Sequence, residues 1–354
     1  MLRGETKRIY VGDVPLGGGA PVHVQSMTNT RTEDVAATAE QIRLLETAGC
    51  DIVRVAVPSF EAARAIAELK KTARIPIVAD IHFDHRLALE ALQAGADKIR
   101  INPGNIGGPD KVEAVALAAK ERGVPIRVGV NGGSVPEDIL AEFGAPVPEA
   151  LVRAALREIE LLERYDFTDI CVAVKSSNAA DTYEAYRLLS GRCAYPLHLG
   201  VTEAGTSYAG IIRSAVGIGA LLLEGIGDTI RVSLTADPVE EIAAGIEILK
   251  AAGLRRQGLR IVSCPSCGRC GIDLIKTAKE VEARLAGIDS DVTVAVMGCA
   301  VNGPGEARHA DYGLAGGANS GVLFKKGEIV GRAPAEELAS ALVEMIESEL
   351  ASEG

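Results

Sequence analysis

Four of the seven cysteines fall between residues 264 and 299. The segment CPSCGRC spaces Cys264, Cys267 and Cys270 three apart, and GCAVNGPGE adds Cys299 and, seven residues on, Glu306. A Cys-x-x-Cys pair with a distant third Cys is a metal-site pattern, because thiolates bind soft and borderline metals. Structural zinc sites usually show two close pairs, or a pair plus His. Here a lone Cys299 is followed by a tight Gly-Pro turn, and His309 is loosely spaced for a zinc knuckle. The run 264–267–270 also matches ferredoxin spacing. Spacing alone ranks an iron–sulfur cluster ahead of zinc and leaves zinc open. Cys50, Cys171 and Cys193 stand singly in apolar or helix-flanking contexts and read as packing residues.

A second constellation is cationic. Short β-branched runs that read as strands carry charge near their C-terminal ends. Arg54 lies in IVRVAVP, Asp80 and His82 in VADIHFD, Arg100 and Asn102 in IRINPGN, and Arg127 and Asn131 in IRVGVNGG. Lys175 lies in VAVKSSN, Glu203 in LGVTEAG, and Arg231 and Ser233 in IRVSL. One arginine in a strand is ordinarily a surface or ion-pair residue. Five cations on five strands would repel one another if they converged, and Asp80 and Glu203 could not neutralise them. A diphosphate could, since arginine forks match phosphate oxygens. His198 reads as structural, and Ser134 with the Gly132–Gly133 turn reads equally as a phosphate contact or a plain turn.

The elements needed to gather these groups follow from periodicity. Over residues 1–235, eight apolar runs alternate with Ala-rich helical segments. The expected strands are His23–Met27, Ile52–Val57, Ile75–His82, Lys98–Asn102, Pro125–Asn131, Asp169–Ser176, Leu197–Glu203 and Thr229–Leu234. Gly49, Gly95 and Gly123 mark helix ends. Eight β/α units predict a closed (β/α)8 TIM-type barrel, whose active sites lie at the C-terminal mouth of the strands. An open doubly wound sheet is the runner-up, but no glycine-rich phosphate fingerprint follows the first strand. The long gap between strands five and six predicts an extra helix. After a helix at Pro238–Ala252 the pattern changes to that of a small α+β domain. The expected division is 1–253 for the barrel and 259–354 for the second domain. The latter carries a hairpin turning near Lys326–Gly327 and a final helix at Ala335–Ser352.

Composition sets bounds. The chain has 354 residues, 47% hydrophobic and only 3% aromatic with no Trp, which suits parallel strands covered by helices. A net charge of −11 argues against general nucleic-acid binding. No apolar run reaches the roughly 18 residues of a membrane span, and the N-terminus lacks a signal-peptide core. The expectation is a cytoplasmic protein with no membrane and no nucleic-acid partner.

The motifs QSMTNTRTEDVAATAEQI, AGCDIVRVAVP, ADIHFD, KIRINPGNIG, VGVNGGS, VAVKSSN, LGVTEAG, RVSLTADP, SCPSCGR and GCAVNGPGE together resemble the 4-hydroxy-3-methylbut-2-enyl diphosphate synthase family, in its short bacterial form. The resemblance covers nearly the whole chain. It implies an oxidoreductase of isoprenoid precursor synthesis, which converts 2-C-methyl-D-erythritol 2,4-cyclodiphosphate to the allylic diphosphate with two electrons and loss of water. It implies one [4Fe–4S] cluster held by Cys264, Cys267, Cys299 and Glu306, with Cys270 outside the ligand set. A carboxylate ligand is hard and exchangeable beside thiolates. Arg54, Arg100, Arg127, Lys175, Arg231 and Ser233 are implied as diphosphate binders. Asn131, Asp80, His82 and Glu203 are implied near the carbon skeleton, with Glu203 the candidate acid for the departing hydroxyl. Flavodoxin or ferredoxin is the implied electron donor.

Two other readings stand beside this one: a pterin-type transferase with a similar cationic mouth, and a zinc-stapled scaffold that binds a partner protein. A geometric expectation also follows. Barrel helices return the chain to the face opposite the mouth. Only the six residues Gly253–Gly258 then lead to the second domain, and six extended residues reach at most about 20 Å. A homodimer in which each cluster domain serves the other chain's barrel would solve the geometry.

Overall fold

The computed structural model describes residues 2–256, 258–286, 288, 290–299 and 307–353. The chain divides into two compact units, Met1–Arg255 and Arg256–Gly354.

The first unit opens with an antiparallel hairpin, β1 (Ile9–Val11) and β2 (Val14–Leu16). Eight parallel strands follow: β3 (His23–Met27), β4 (Ile52–Ala56), β5 (Ile77–Asp80), β6 (Lys98–Ile101), β7 (Ile126–Asn131), β8 (Ile170–Lys175), β9 (His198–Leu199) and β10 (Thr229–Ile230). Their order is β8-β7-β6-β5-β4-β3-β10-β9. A parallel bridge between Val172 of β8 and Leu197, just before β9, joins the two ends, so the sheet closes into a barrel. Ile9, Val11 and Leu16 of the hairpin pack on Ile52, Val78 and Cys171 and plug the floor. The sequence reading did not include this hairpin, whose strands are only three residues each.

Helices α1 (Val35–Thr47), α2 (Phe60–Leu69), α3 (His85–Gln93), α4 (Pro109–Arg122), α5 (Glu137–Phe143), α6 (Pro148–Glu163), α7 (Ala179–Ser190), α8 (Ser207–Leu223) and α9 (Pro238–Ala251) lie between and after the strands. Their starts are written locally. Asp34, Ser59, Asp84, Asn178 and Asp237 cap α1, α2, α3, α7 and α9, each side-chain oxygen accepting a first-turn amide. Gly123 ends α4 at φ +64, where a Cβ would be strained. α5 is the extra helix in the long gap after β7. Small side chains bring helices close to the sheet: α2 buries Ala62, Ala63, Ala65, Ile66 and Leu69. Every residue of β8 is buried, as expected of a strand covered on both faces.

The second unit has a five-stranded sheet, β11 (Leu259–Ser263), β12 (Val292–Met297), β13 (Tyr312–Ala315), β14 (Ser320–Lys325) and β15 (Glu328–Pro334), paired in that order. The first three strands run parallel and the last three antiparallel. α10 (Leu274–Leu285) and α11 (Leu338–Glu353) share a core with the sheet through Leu274, Val281, Leu285, Leu338, Leu342 and Ile346. Lys326 and Gly327, at φ +48 and +83, make the tight turn of the hairpin. Among the described residues, no helix is long and apolar enough to cross a membrane.

Candidate functional site

The strands' C-terminal ends gather most of the polar residues the sequence singled out. Arg54, Asp80, His82, Arg100, Arg127, Asn131, Lys175, Arg231 and Ser233 line one cavity of about 230 Å³, together with Gly129, Ala173 and Thr202. The alternation of β-strands explains the gathering. Register pairs Arg100 with Asp80 on one side and with Arg127 on the other, so their side chains enter the barrel together.

Asp80 is the hub. Its Oδ1 accepts from Arg100 Nη1 at 3.1 Å, while Oδ2 lies 3.7 Å from Arg54 Nε and 3.5 Å from His82 Nε2. Burial alone would raise its pKa. Arg54, the His82 hydrogen bond and Arg100 outweigh that and hold the carboxyl well below its usual range. Arg100 Nη2 also donates to the Gly129 carbonyl at 3.2 Å. Arg54 Nε and Nη2 lie 3.1 and 2.9 Å from Met27 Sδ. Arg127 is 2% exposed, and its Nε and Nη1 find no partner among the described residues. Burial and Arg100 hold the Arg127 pKa down to about 10. Burial, then Arg127 and Arg231, hold Lys175 well below the usual lysine value. Lowered pKa values on buried neighbouring cations report first the loss of water around each charge and then their mutual repulsion. A multiply charged anion in the cavity would relieve it.

Two features of this site were missed in the sequence. Glu241, in the first turns of α9, is 4% exposed. It accepts from Ser26 Oγ at 2.9 Å and from Leu234 N at 3.0 Å, and lies 3.4 Å from Arg231 Nε and Nη2. In sequence it sits among surface acids in VEEIAAG and carries no distinguishing signal. The second feature is room. A Cβ on Gly129 would meet Arg100 Nε at 2.6 Å, and one on Gly200 would meet Lys175 Nζ at 2.5 Å. These glycines make the space in which the cations lie.

Other expected residues fall elsewhere. β9 and β10 are two residues each, so Glu203 and Ser233 lie in loops beyond them. Glu203 is exposed and outside the cavity lining, at φ +53. A left-handed non-glycine residue is a strained position of the kind that clusters at functional sites. Ser134 spends its hydroxyl on its own turn, donating to the Asn131 carbonyl at 3.0 Å. Asn102 is buried, and it too lies outside the lining. His198 is fully buried with Nδ1 2.7 Å from Thr229 Oγ1, a structural role. Burial raises the thiol pKa of Cys50, to about 12, and those of Cys171 and Cys193, which makes them poor nucleophiles.

In the second unit, Cys264 follows β11 and Cys299 lies just beyond β12, its parallel neighbour, with Ser263 opposite Val296. Gly298 N lies 3.3 Å from Cys264 Sγ as donor. Cys270 N donates to the Cys267 carbonyl at 3.0 Å, and Gly271 N to the Gly298 carbonyl at 2.8 Å. Cys267 is exposed. Among the described residues, no three His, Cys, Asp or Glu side chains are close enough to hold a metal ion. Glu306 lies outside the described residues. The donors present nevertheless suit a thiolate-held iron–sulfur group. Three thiols sit on two segments that follow the C-terminal ends of the neighbouring strands β11 and β12, and a backbone amide already points at one sulfur, as amides do around such clusters. Cys270 has a different setting: a Cβ on Gly298 would meet its Sγ at 2.1 Å, so the thiol packs on the Gly298 backbone.

Fold and cavity together define a β/α-barrel protein with a cation-lined cavity at the strands' C-terminal ends and a separate thiol-bearing unit. Family models narrow this. The GcpE TIM-barrel domain matches residues 6–246, and the GcpE protein C-terminal domain matches residues 260–348. The chain belongs to the GcpE family. It is 57% identical over 346 residues to the 4-hydroxy-3-methylbut-2-en-1-yl diphosphate synthase (flavodoxin) of Ruminiclostridium cellulolyticum, covering 98% of each chain. Identity to the protein of the same name from Geobacter sulfurreducens is 55% over 350 residues, covering 99% of each. Solved structures similar to the chain include a 3-dehydroquinate dehydratase from Geobacillus kaustophilus, at TM-score 0.52 and 18% identity, covering 71% of this chain and 99% of that one. A dihydropteroate synthase from Yersinia pestis gives TM-score 0.51 and 16% identity, covering 70% and 99%. At such identities the likeness is one of barrel fold alone.

Proposed function

We propose that the chain reductively dehydrates and ring-opens 2-C-methyl-D-erythritol 2,4-cyclodiphosphate to (E)-4-hydroxy-3-methylbut-2-enyl diphosphate. It is an oxidoreductase of isoprenoid precursor synthesis. The observation that carries the reading is the charge inventory of the barrel mouth in a GcpE-family chain. Arg54, Arg100, Arg127, Lys175 and Arg231 line one cavity and face only Asp80 and Glu241 as ion-pair partners among the described residues.

In this reading the five cations and Ser233 bind the diphosphate. Arg127, whose Nε and Nη1 have no partner among the described residues, has the most to gain from an anion. Asp80 orients Arg54 and Arg100 through its ion pairs, and Glu241 does the same for Arg231. Asn131 and His82 stand at the rim, where they can orient the carbon skeleton. Glu203, exposed on its strained loop, is the proposed proton donor to the hydroxyl that leaves as water. Cys264, Cys267, Cys299 and Glu306 would hold a [4Fe–4S] cluster. When bound, that group supplies the two electrons and a Lewis-acidic iron for the departing oxygen. A flavodoxin-class or ferredoxin-class protein is the proposed electron donor, and the cytoplasm the proposed location.

The proposed working form is a homodimer with a shared active site. Two features support it: the short connection after α9, and an apolar stripe on α8. Tyr208, Ile212, Val216 and Leu223 are 82%, 47%, 58% and 73% exposed, spaced along one helix face.

The test is anaerobic purification of the full chain, followed by iron and sulfide analysis and assay of the cyclodiphosphate with reduced flavodoxin. Iron, sulfide and formation of the allylic diphosphate are expected. Zinc without iron would overturn the cofactor, and an iron-loaded chain that leaves the cyclodiphosphate untouched would overturn the reaction.

A further inference from the structure

One buried carboxylate stands apart from the machinery above. Glu158 interrupts the apolar face of α6, whose neighbours Leu151, Ala155, Ile159 and Leu162 are all buried, and is itself 2% exposed. A carboxylate removed from water needs compensating hydrogen bonds. Those of Glu158 come from the turn that follows β6. Gly104 N donates to Oε2 at 2.5 Å. The Asn102 carboxamide, with its NH2 toward the carboxylate, lies 3.0 Å from Oε1 and 3.2 Å from Oε2. The turn is shaped for this contact, since a Cβ on Gly104 would meet Oε1 at 2.4 Å. Pro103 fixes its own φ and biases Asn102 toward the extended backbone it adopts, at φ −114.

Asn102 is two residues beyond Arg100. The Arg100 guanidinium bridges Asp80 Oδ1 at 3.1 Å and the Gly129 carbonyl at 3.2 Å, a fork across two neighbouring strands. That fork requires the end of β6 to stay in place, and binding groups misplaced by about 1 Å can cost on the order of a hundredfold. We propose that Glu158 is a positioning residue for diphosphate binding, acting through the Asn102–Gly104 turn to fix the strand end that carries Arg100. The proposal rests on the reading of the cavity given above. It adds a residue from the helix layer, outside the cavity lining.

The experiment compares wild type, Glu158→Ala, Glu158→Gln and Gly104→Ala, each as full-length, cluster-loaded protein. Affinity for the cyclodiphosphate is measured by calorimetry, and KM and kcat by steady-state assay. Glu158→Ala should weaken affinity and raise KM by roughly tenfold, with kcat little changed. Gly104→Ala breaks the same contact from the loop side and should behave alike, which covers the case in which Glu158→Ala fails to fold. Glu158→Gln should restore near-wild-type values. Its carbonyl accepts from Gly104, and its NH2 meets the Asn102 oxygen once that carboxamide turns over. Wild-type KM and affinity in both alanine variants would overturn the proposal, because a merely structural residue lowers the active fraction without altering KM. A Glu158→Gln variant as impaired as Glu158→Ala would overturn it too. A wild-type chain that binds no cyclodiphosphate would instead sink the reading of the cavity itself.

Discussion

Asp80 accepts a hydrogen bond from Arg100 at 3.1 Å in the interior of the barrel, and both residues are 7% exposed. Removing one partner of a buried ion pair strands the other, at a cost of about 3–5 kcal/mol. Asp80→Asn should therefore lower the urea midpoint at pH 7. The sign of the pH effect follows from the depressed pKa of Asp80. Its stabilisation is present above the unfolded value of about 3.9 and is lost as pH falls toward the folded value. The variant should lose less stability than wild type between neutral pH and acid. Parallel acid-side curves for the two proteins would show that folding does not depress the Asp80 pKa.

Lys98 poses the opposite case. It is fully buried, its Nζ has no partner among the described residues, and burial pulls its pKa down to about 8. Below pH 8 the folded chain must carry a buried charge that the unfolded chain, with a lysine pKa of about 10.4, carries freely in water. The penalty is full below pH 8 and fades as pH rises from there toward 10.4. Lys98→Met should stabilise the protein by about 3 kcal/mol at pH 7, with the gain shrinking steadily above pH 8. Urea titrations at several pH values decide it, and a gain independent of pH would refute the electrostatic account.

These two residues also show how far the sequence could be read. Asp80 stood out because charge in an apolar strand is conspicuous, and eight such strands announced the barrel. Lys98 begins its strand, where a lysine reads as a loop-edge residue. Nothing local says that it points inward, because the side a residue faces depends on how all eight strands close. Glu241 and Glu158 were invisible for a similar reason. Each sits in a helix rich in surface acids, and only packing reveals which carboxylate turns toward the barrel. The floor hairpin was too short for periodicity to detect. Gly129 and Gly200 carried no signal in the sequence, although they are the space that Arg100 and Lys175 occupy.

Cys270 and Gly298 make a prediction about the thiol-bearing unit. Gly298→Ala would force its new methyl against Cys270 Sγ, 2.1 Å away, and should lower both the melting temperature and the iron retained. Combining it with Cys270→Ala removes the sulfur, leaving the residue 270 Cβ at an ordinary 3.5 Å. The double variant should recover both properties. Cys270→Ala alone should keep its iron and activity, whereas Glu306→Ala should keep iron through three cysteines but lose most turnover. Loss of iron in Cys270→Ala, with full activity in Glu306→Ala, would reverse the assignment of the fourth ligand.

Arg127→Ala and Arg231→Ala test the mouth. Each should leave the iron content unchanged and weaken cyclodiphosphate binding. A lost charge-assisted hydrogen bond costs about 1.5–3 kcal/mol, on the order of ten- to a hundredfold. The Arg231 variant should lose less, because Glu241 already engages that guanidinium, while Arg127 has two N–H groups free among the described residues. Wild-type affinity in both variants would remove them from the site.

The last prediction concerns the two-chain site. α9 ends at Ala251, and β11 begins at Leu259. The C-terminal end of a barrel helix lies on the face opposite the mouth. The seven residues between α9 and β11, Ala252–Gly258, reach about 25 Å at most, short for a path up the outside of the helix layer and over the rim. The reaction needs electrons delivered at the mouth, where the cations are. If each cluster unit serves the barrel of a second copy, one twofold arrangement completes two sites at once. Two inactive variants can then complement each other. Arg127→Ala spoils the barrel and Cys299→Ser spoils the cluster unit. A heterodimer of the two contains one site built from an intact barrel and an intact cluster unit, and should regain up to about half of the wild-type activity per dimer, as one site of two. Tandem affinity tags isolate that heterodimer from the parental homodimers, and its turnover is compared with theirs. Activity in the heterodimer alone supports the shared site. A verified heterodimer as inactive as its parents would place barrel and cluster of one site in the same chain, and the argument from the length of the link would fail.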